Sequence, residues 1–199
     1  MTGVETALRT GAAGALGRAL SDSETALLIK YMDLLVKWQR SQRLIGATEP
    51  RWIVDNVLVD SLLFARLLPA RVATLCDVGS GAGIPGIPLK IVMPDTEVAL
   101  LEARQKRASF LSAAIRELPL HRCRVVNERI ENAGSDMVGR FEAVVMRCAG
   151  DPVALARDVK PLLTPRGVIV ASGPPVAPPV ESGEWVEVDG RRFWRYQAS

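Results

Sequence analysis

Apolar positions along the first third of the chain recur at helical spacing. Ala26, Leu27, Ile29, Tyr31, Leu34, Leu35 and Trp38 predict a helix over Ser23–Arg40, with Ser23 as its cap. Ahead of it, Met1–Leu20 reads as a first helix with a frayed start. Pro50 opens a further helical stretch carrying Trp52, Ile53, Val57, Leu58, Leu62 and Leu63, and Pro69 stops it after Leu68. Residues 1–70 are therefore expected to form an N-terminal helical cap.

From residue 72 the pattern changes to short apolar runs alternating with helical spacing. Strands are expected at Val72–Val78, Thr96–Leu101, Arg124–Asn127, Phe141–Met146 and Val168–Ala171. Helices are expected at about Pro85–Met93, at Arg104–Leu118, and from Asp151-Pro152 to Leu163, with a turn at Arg166-Gly167 before the fifth strand. Such alternation implies a Rossmann-like α/β domain over residues 71–199, with a mostly parallel, doubly wound sheet. Pro174, Pro175, Pro178 and Pro179 mark a loop. Trp185–Val188 and Arg192–Tyr196 then read as a hairpin around Asp189-Gly190. No internal repeat is visible.

The chemistry concentrates where the first strand ends, in Leu75-Cys-Asp-Val-Gly-Ser-Gly-Ala-Gly-Ile-Pro-Gly86. A buried strand running into a glycine-rich turn delivers a ligand to the start of the next helix. Two cofactor classes use such a turn, nucleotide-type redox cofactors and S-adenosylmethionine. Gly81-Ala-Gly83-Ile-Pro-Gly86 satisfies the dinucleotide fingerprint G-x-G-x-x-G, which keeps a nicotinamide-dependent reductase as an alternative. Asp77, however, makes the run acid-x-G-x-G-x-G. An acid at the mouth of the turn repels a pyrophosphate and suits the ammonium of the methionyl end. Glu102 closes the next strand about 20 residues on, where an acid can hold ribose hydroxyls. An acid near a helix start also suits the helix dipole, and the two roles are compatible. Gly79, Gly81 and Gly83 are open to a purely structural reading as a tight turn, but three alternate glycines behind Asp77 favour S-adenosyl-L-methionine.

Composition narrows the class without choosing the partner. The chain has 199 residues, 48% of them hydrophobic and 24% charged, enough for a proper core. No apolar run approaches the ~18 residues needed to span a bilayer, and no compact basic head precedes an apolar block at the N-terminus. A cytoplasmic monomer without a membrane association is expected. Cys76, Cys123 and Cys148 are too few and too scattered for a disulfide framework or a zinc site, so no metal is expected. A net charge of +3 permits an RNA partner without demanding one.

Several chemistries lack their residues. There is no G-x-S-x-G elbow and no Walker lysine, and the sole histidine, His121, falls in an expected surface loop. Within methyl transfer, the exocyclic-amine loop Asn/Asp-Pro-Pro-aromatic is replaced by Met146-Arg-Cys-Ala-Gly-Asp-Pro152. Cys148 lacks the Pro-Cys setting of a pyrimidine carbon-5 nucleophile and reads better as a small buried thiol. Guanine N7 carries a free lone pair at neutral pH. A site without a general base is compatible with that acceptor.

Asp77–Gly86 with Ile87-Pro88-Leu89, Leu100-Leu-Glu102 and Lys106-Arg107-Ala-Ser-Phe110-Leu111 resembles the RsmG (GidB) family. Tyr31–Trp38 and Val59-Asp-Ser-Leu62 extend the resemblance, which runs from about Tyr31 to Gly173. It implies a class I S-adenosylmethionine-dependent methyltransferase that modifies N7 of a guanine in 16S ribosomal RNA, on naked RNA or on the assembled small subunit. It further implies donor contacts at Gly79 and Ile84, at Ile130 and Glu131 beside the adenine, and at Arg147 near the methionyl end and the acceptor. Lys106 and Arg107 would lie on the rim, where they either meet RNA phosphates or form a solvated helix face.

The chain departs from the family on the acceptor side. The usual Arg-His is Asn56-Val57, Asn-Leu-Thr is Arg43-Leu-Ile45, and the Leu-Lys-Gly ending the fifth strand is Ala171-Ser172-Gly173. A divergent, non-catalytic RNA-binding relative is therefore a second reading. The tail Arg191, Arg192 and Arg195, interleaved with Phe193, Trp194 and Tyr196, is expected either to supply phosphate contacts or to form an edge strand.

Overall fold

Ser21 starts the main cap helix. Its hydroxyl accepts the Glu24 N–H at 3.1 Å while the Glu24 carboxylate accepts the Ser21 N–H at 2.7 Å, so the cap lies two residues before the expected Ser23. In this computed structural model, which describes residues 3–147, 152–174, 179–180 and 182–199, helix α1 spans Gly3–Leu16 and α2 spans Asp22–Gln42. The described part of this first helix starts at Gly3 and is packed by the buried Leu8, Ala12 and Ala15. The next helical stretch changes pitch repeatedly. It passes from α3 (Pro50–Ile53) through a π-helical segment (Val54–Val59) to α4 (Asp60–Leu62) and a 3-10 turn (Leu63–Arg66).

Strands β1 (Thr74–Val78), β2 (Glu97–Leu101), β3 (Cys123–Val126), β4 (Phe141–Met146) and β5 (Leu163–Ser172) are mutually parallel. Helices α5 (Gly86–Val92), α6 (Gln105–Glu117) and α7 (Pro152–Val159) lie between them, close to their expected bounds. The sheet order is β3-β2-β1-β4-β5-β7-β6, with β6 (Glu184–Val188) and β7 (Arg191–Gln197) antiparallel. The chain therefore winds outward one way from β1 and the other way from β4. The crevice at the carboxyl ends of these two strands is where ligands bind in such sheets. No helix among the described residues is long and apolar enough to cross a membrane.

Two expectations needed correction. Arg166-Gly167 is not a turn before the fifth strand but an irregularity inside it. Pairing jumps from Phe141↔Leu163 to Ala143↔Val168, and Arg166 adopts φ 64°, so β5 begins at Leu163. The basic, aromatic tail is not an edge strand either. β7 lies between β5 and β6, Trp194 is fully buried opposite Ala171, and its indole N–H donates to the Ser182 carbonyl at 3.0 Å. The Asp189-Gly190 turn has positive φ at both residues, as the two-residue hairpin demands. Most of the expected proline loop, and the start of the last helix at Asp151, lie outside the described residues.

Leu8, Leu28, Tyr31, Leu58 and Phe64 of the N-terminal helices share one buried cluster with Leu75, Leu100, Phe110 and Val145 of the sheet and its helices. Trp38 meets Phe110 edge-on, with ring centroids 5.7 Å apart. The contact that matters most for the site is polar. The buried Tyr31 hydroxyl donates to the Ala82 carbonyl at 2.6 Å, tying α2 to the glycine-rich loop. Tyr31→Phe leaves that carbonyl unpaired at a cost of about 1–2 kcal/mol. A fall in Tm of roughly 3–6 °C is expected in a thermal melt, and an unchanged Tm would show that this bond does not dock the loop.

Candidate active site

The glycine-rich loop is held at both ends. Where it leaves β1, the Gly79 and Ser80 N–H groups both donate to the Leu101 carbonyl, at 2.9 and 3.0 Å. The Ser80 hydroxyl donates to the Asp77 carbonyl at 2.8 Å. Where it enters α5, the Gly86 N–H donates to Asp77 Oδ2 at 2.9 Å. A Cβ on Gly86 would fall 2.6 Å from that oxygen and 2.5 Å from Leu100, so only glycine lets helix and strand approach this closely. Glu102, just past the end of β2, fixes the middle. Its Oε2 accepts the Gly81 N–H and its Oε1 accepts the Arg104 N–H, each at 2.8 Å.

Asp77 lies behind the loop, not in its mouth. It is fully buried, and loss of hydration pushes its carboxyl up to about 7, opposed by the Gly86 N–H and Ser80 and reinforced by the Glu102 charge. Its Oδ1 has no hydrogen-bond partner among the described residues. Its bond to the Gly86 N–H braces the loop where it enters α5.

Two clefts open along the loop. One, of about 410 Å³, is walled by Gly79, Glu102, Ile130, Glu131, Arg107 and Arg147. The other, of about 350 Å³, lies between the loop and the cap, against Leu44, Ile45, Trp52 and Ile84. Gly79, Arg107 and Arg147 wall both, so the clefts adjoin. Ile84 lines the cap-side cleft, together with Gly81. Gly83 lines neither. It adopts φ 86°, and a Cβ there would strike Ile87 at 2.4 Å, so its role is in packing. The rim pair divides as well. Lys106 is exposed on α6 and lines neither cleft, whereas the half-buried Arg107 lines both and has no ion-pair or hydrogen-bond partner among the described residues.

Arg147 is held by a network that the sequence did not reveal. Its guanidinium donates to the Asn56 carbonyl at 2.7 Å and pairs with Asp60 Oδ2 at 3.2 Å. Arg191 pairs with the other oxygen of Asp60 at 3.1 Å and reaches the Asn56 side chain at 3.4 Å. Asn56 lies in the π-helical segment and Asp60 begins α4. Thus one buried carboxylate joins the cap, the end of β4 and the hairpin. Its available signal was an acid inside an otherwise apolar helical run, at Val59-Asp-Ser-Leu62. The departure at Asn56 is thereby connected to Arg191 of the basic tail. Ser172, at the end of β5, pairs with Phe193 two residues beyond Arg191. Arg43 is exposed and ends α2 with a left-handed backbone, φ 48°.

The remaining reactive types lie elsewhere. His121 is exposed. Cys76 is buried in β1, where burial pushes its thiol up, and the Cys123 thiol is pushed up to about 12 by burial. Cys148 lies outside the described residues. Among the described residues no group of three His, Cys, Asp or Glu side chains is placed to hold a metal ion. Among the described residues the cap-side cleft is walled by apolar groups, loop backbone, Ser80 and two guanidiniums, with no carboxylate, imidazole or thiol.

The family model for rRNA small subunit methyltransferase G (GidB) matches residues 24–173. Ribosomal RNA small subunit methyltransferase G of Burkholderia thailandensis is 38% identical over 169 residues, covering 83% of this chain and 73% of that protein. Ribosomal RNA small subunit methyltransferase G 1 of Syntrophobacter fumaroxidans is 36% identical over 186 residues, covering 92% and 81%. Among solved structures, the Escherichia coli protein yhhF, provisionally named a methyltransferase, superposes with TM-score 0.54 at 19% identity over 70% of this chain and 84% of its own. The cyclase SpnF gives the same TM-score of 0.54 at 17% identity, over 75% and 60%, so this fold alone does not decide the reaction. The fold is that of class I S-adenosylmethionine-dependent methyltransferases, and the chain belongs to the rRNA small subunit methyltransferase G (GidB) family.

Proposed function

We propose that the chain transfers the methyl group of S-adenosylmethionine to N7 of a guanine in the 16S rRNA of the small ribosomal subunit. The observation that carries the choice of atom is the cap-side cleft, whose wall offers, among the described residues, no group able to remove a proton. N7 needs none, since its lone pair is already free.

The residues fit the donor. A side chain on Gly79 would point into open space, so the loop backbone there is bare to a ligand, and a cleft of about 410 Å³ is of ordinary size for one. Glu102 would accept from ribose hydroxyls with the lone pairs its two backbone bonds leave free. Ile130 would cover an apolar ring face, with Glu131 at its polar edge. The donor supplies, when bound, a methyl group on a sulfonium that is electrophilic without further activation. Arg147, at the boundary of the two clefts, would orient the reactants. Its pairing with Asp60 offsets a charge that would otherwise repel the sulfonium. The remaining work is alignment in a site with little water.

Hypomethylated small subunits incubated with labelled donor are expected to gain label at N7 of one guanine, located by cleavage chemistry specific for 7-methylguanine. Label at another nucleotide, or only in protein, overturns the assignment. Glu102→Ala is expected to weaken donor binding at least about tenfold by calorimetry, with Glu102→Gln less affected. Unchanged affinity in both removes Glu102 from the donor site. Asp77 gives a pH signature. Its folded value of about 7 lies above the unfolded ~3.9, so the folded state holds the extra proton between them. Stability is therefore lost as pH rises from about 4 to 7. Asp77→Asn, which can still accept the Gly86 N–H, is expected to lack that decline in urea melts at several pH values.

A further inference from the structure

Trp52 occupies an unusual place for a large aromatic side chain. It is half-buried, it walls the cap-side cleft, and its ring is backed by Gly46, where even a Cβ would stand 3.4 Å from the ring. The neighbouring backbone is clamped. Gln39 Nε2 donates to the Ile45 carbonyl at 2.7 Å and Gln39 Oε1 accepts the Ile45 N–H at 2.8 Å. Ala82, on the loop side of the cleft, is fixed by the Tyr31 hydroxyl at 2.6 Å. The aromatic wall and the loop wall are thus both pre-set. Arg107 adds a cation, without an ion-pair partner among the described residues, where this cleft of about 350 Å³ meets the second cleft. A slot that among the described residues has one aromatic wall, no acid and an unpaired guanidinium at its inner edge suits a planar base that carries a phosphate.

We infer that Trp52 is the face on which the acceptor base stacks, with Arg107 taking the phosphate of that nucleotide. The inference rests on the rRNA methyltransferase reading and adds residues to its acceptor side. A base inside a helical stack cannot offer a face to Trp52, so the nucleotide enters single-stranded or extruded. Stacking on an aromatic ring tolerates any base. Trp52 therefore sets affinity and presentation, and the reactive atom is selected by its approach to the donor cleft.

The test compares Trp52→Ala and Trp52→Phe in methyl transfer to hypomethylated small subunits, with donor affinity measured in parallel. Trp52→Ala is expected to lower kcat/KM for the RNA roughly 10- to 100-fold, mainly through KM, with donor Kd within about twofold of wild type. Trp52→Phe should recover most of the loss, and Arg107→Ala should raise KM and reduce the salt dependence of binding by about one charge. A second readout does not need turnover. Binding of a short guanine-containing single strand should quench tryptophan fluorescence, and the quench should be largely lost in Trp52→Phe. Unchanged kcat/KM in Trp52→Ala, an equal loss of donor affinity, or a quench that survives Trp52→Phe overturns the inference. If wild type transfers no methyl to the subunit but the Trp52-dependent quench is present, the enzymatic reading fails while stacking stands.

Discussion

The Asp77 carboxylate and the Gly86 N–H set the shape of everything around the glycine-rich loop. The strand and the helix it feeds are drawn so close that a methyl group between them would overlap Asp77 and Leu100. With its ends fixed by this contact, the intervening chain must bow outward over Leu101 and Glu102. That bow presents Gly81 to the Glu102 carboxylate and Ala82 to the Tyr31 hydroxyl. Both clefts follow from it, since the loop is their shared wall. Keeping Asp77 dry is costly to its charged form, which is why its carboxyl titrates near 7 and not in the usual acid range.

A second constraint acts where the cap meets the end of β4 and the hairpin. Asp60 is nearly enclosed, its side chain 11% exposed, yet it serves guanidiniums from two distant segments, Arg147 and Arg191. Such a pairing adds little net stability over an apolar substitute, but losing both partners would strand a buried charge, at a cost of about 3–5 kcal/mol. Its value lies in placement. The cap, the end of β4 and the hairpin can assemble only in the arrangement that satisfies all three groups. Arg66 with Asp189, Arg195 with the Leu67 carbonyl, and Phe64 against Phe193 hold the same hairpin to the same helical stretch. Arg147, which walls both clefts, is thereby oriented by residues that line neither.

Legibility from sequence followed the range of the interaction. Strands β1 to β4 and their helices were readable within a few residues because apolar periodicity reports burial locally. The hairpin was readable because Asp-Gly chemistry is local too. The strand irregularity at Arg166-Gly167 was not, because the same dipeptide makes a turn or a bulge depending on whether a neighbouring strand pairs on both sides of it. Ser21 was passed over for Ser23 because both are capping residues. The choice is made by which serine has Glu24 three positions on. β7 was mistaken for an edge because nothing in its composition tells that β6 folds back outside it.

By itself the sequence determined the fold class, the glycine-rich loop and the family, since these depend on residues close in the chain whose spacing is fixed by strand and turn geometry. Tertiary structure decided which of those residues reach a cleft. Gly83 and Asp77 belong to the same motif as Gly79 but are turned into the packing, because a loop folded over a strand has an inner and an outer side. It also decided the cap-side cleft and its support, where Trp52, Asn56, Asp60, Arg107, Arg147 and Arg191 converge from well-separated segments. No pattern in the chain fixes such a convergence. It follows from the sheet order that places the hairpin beside β5 and the cap across the ends of β1 and β4.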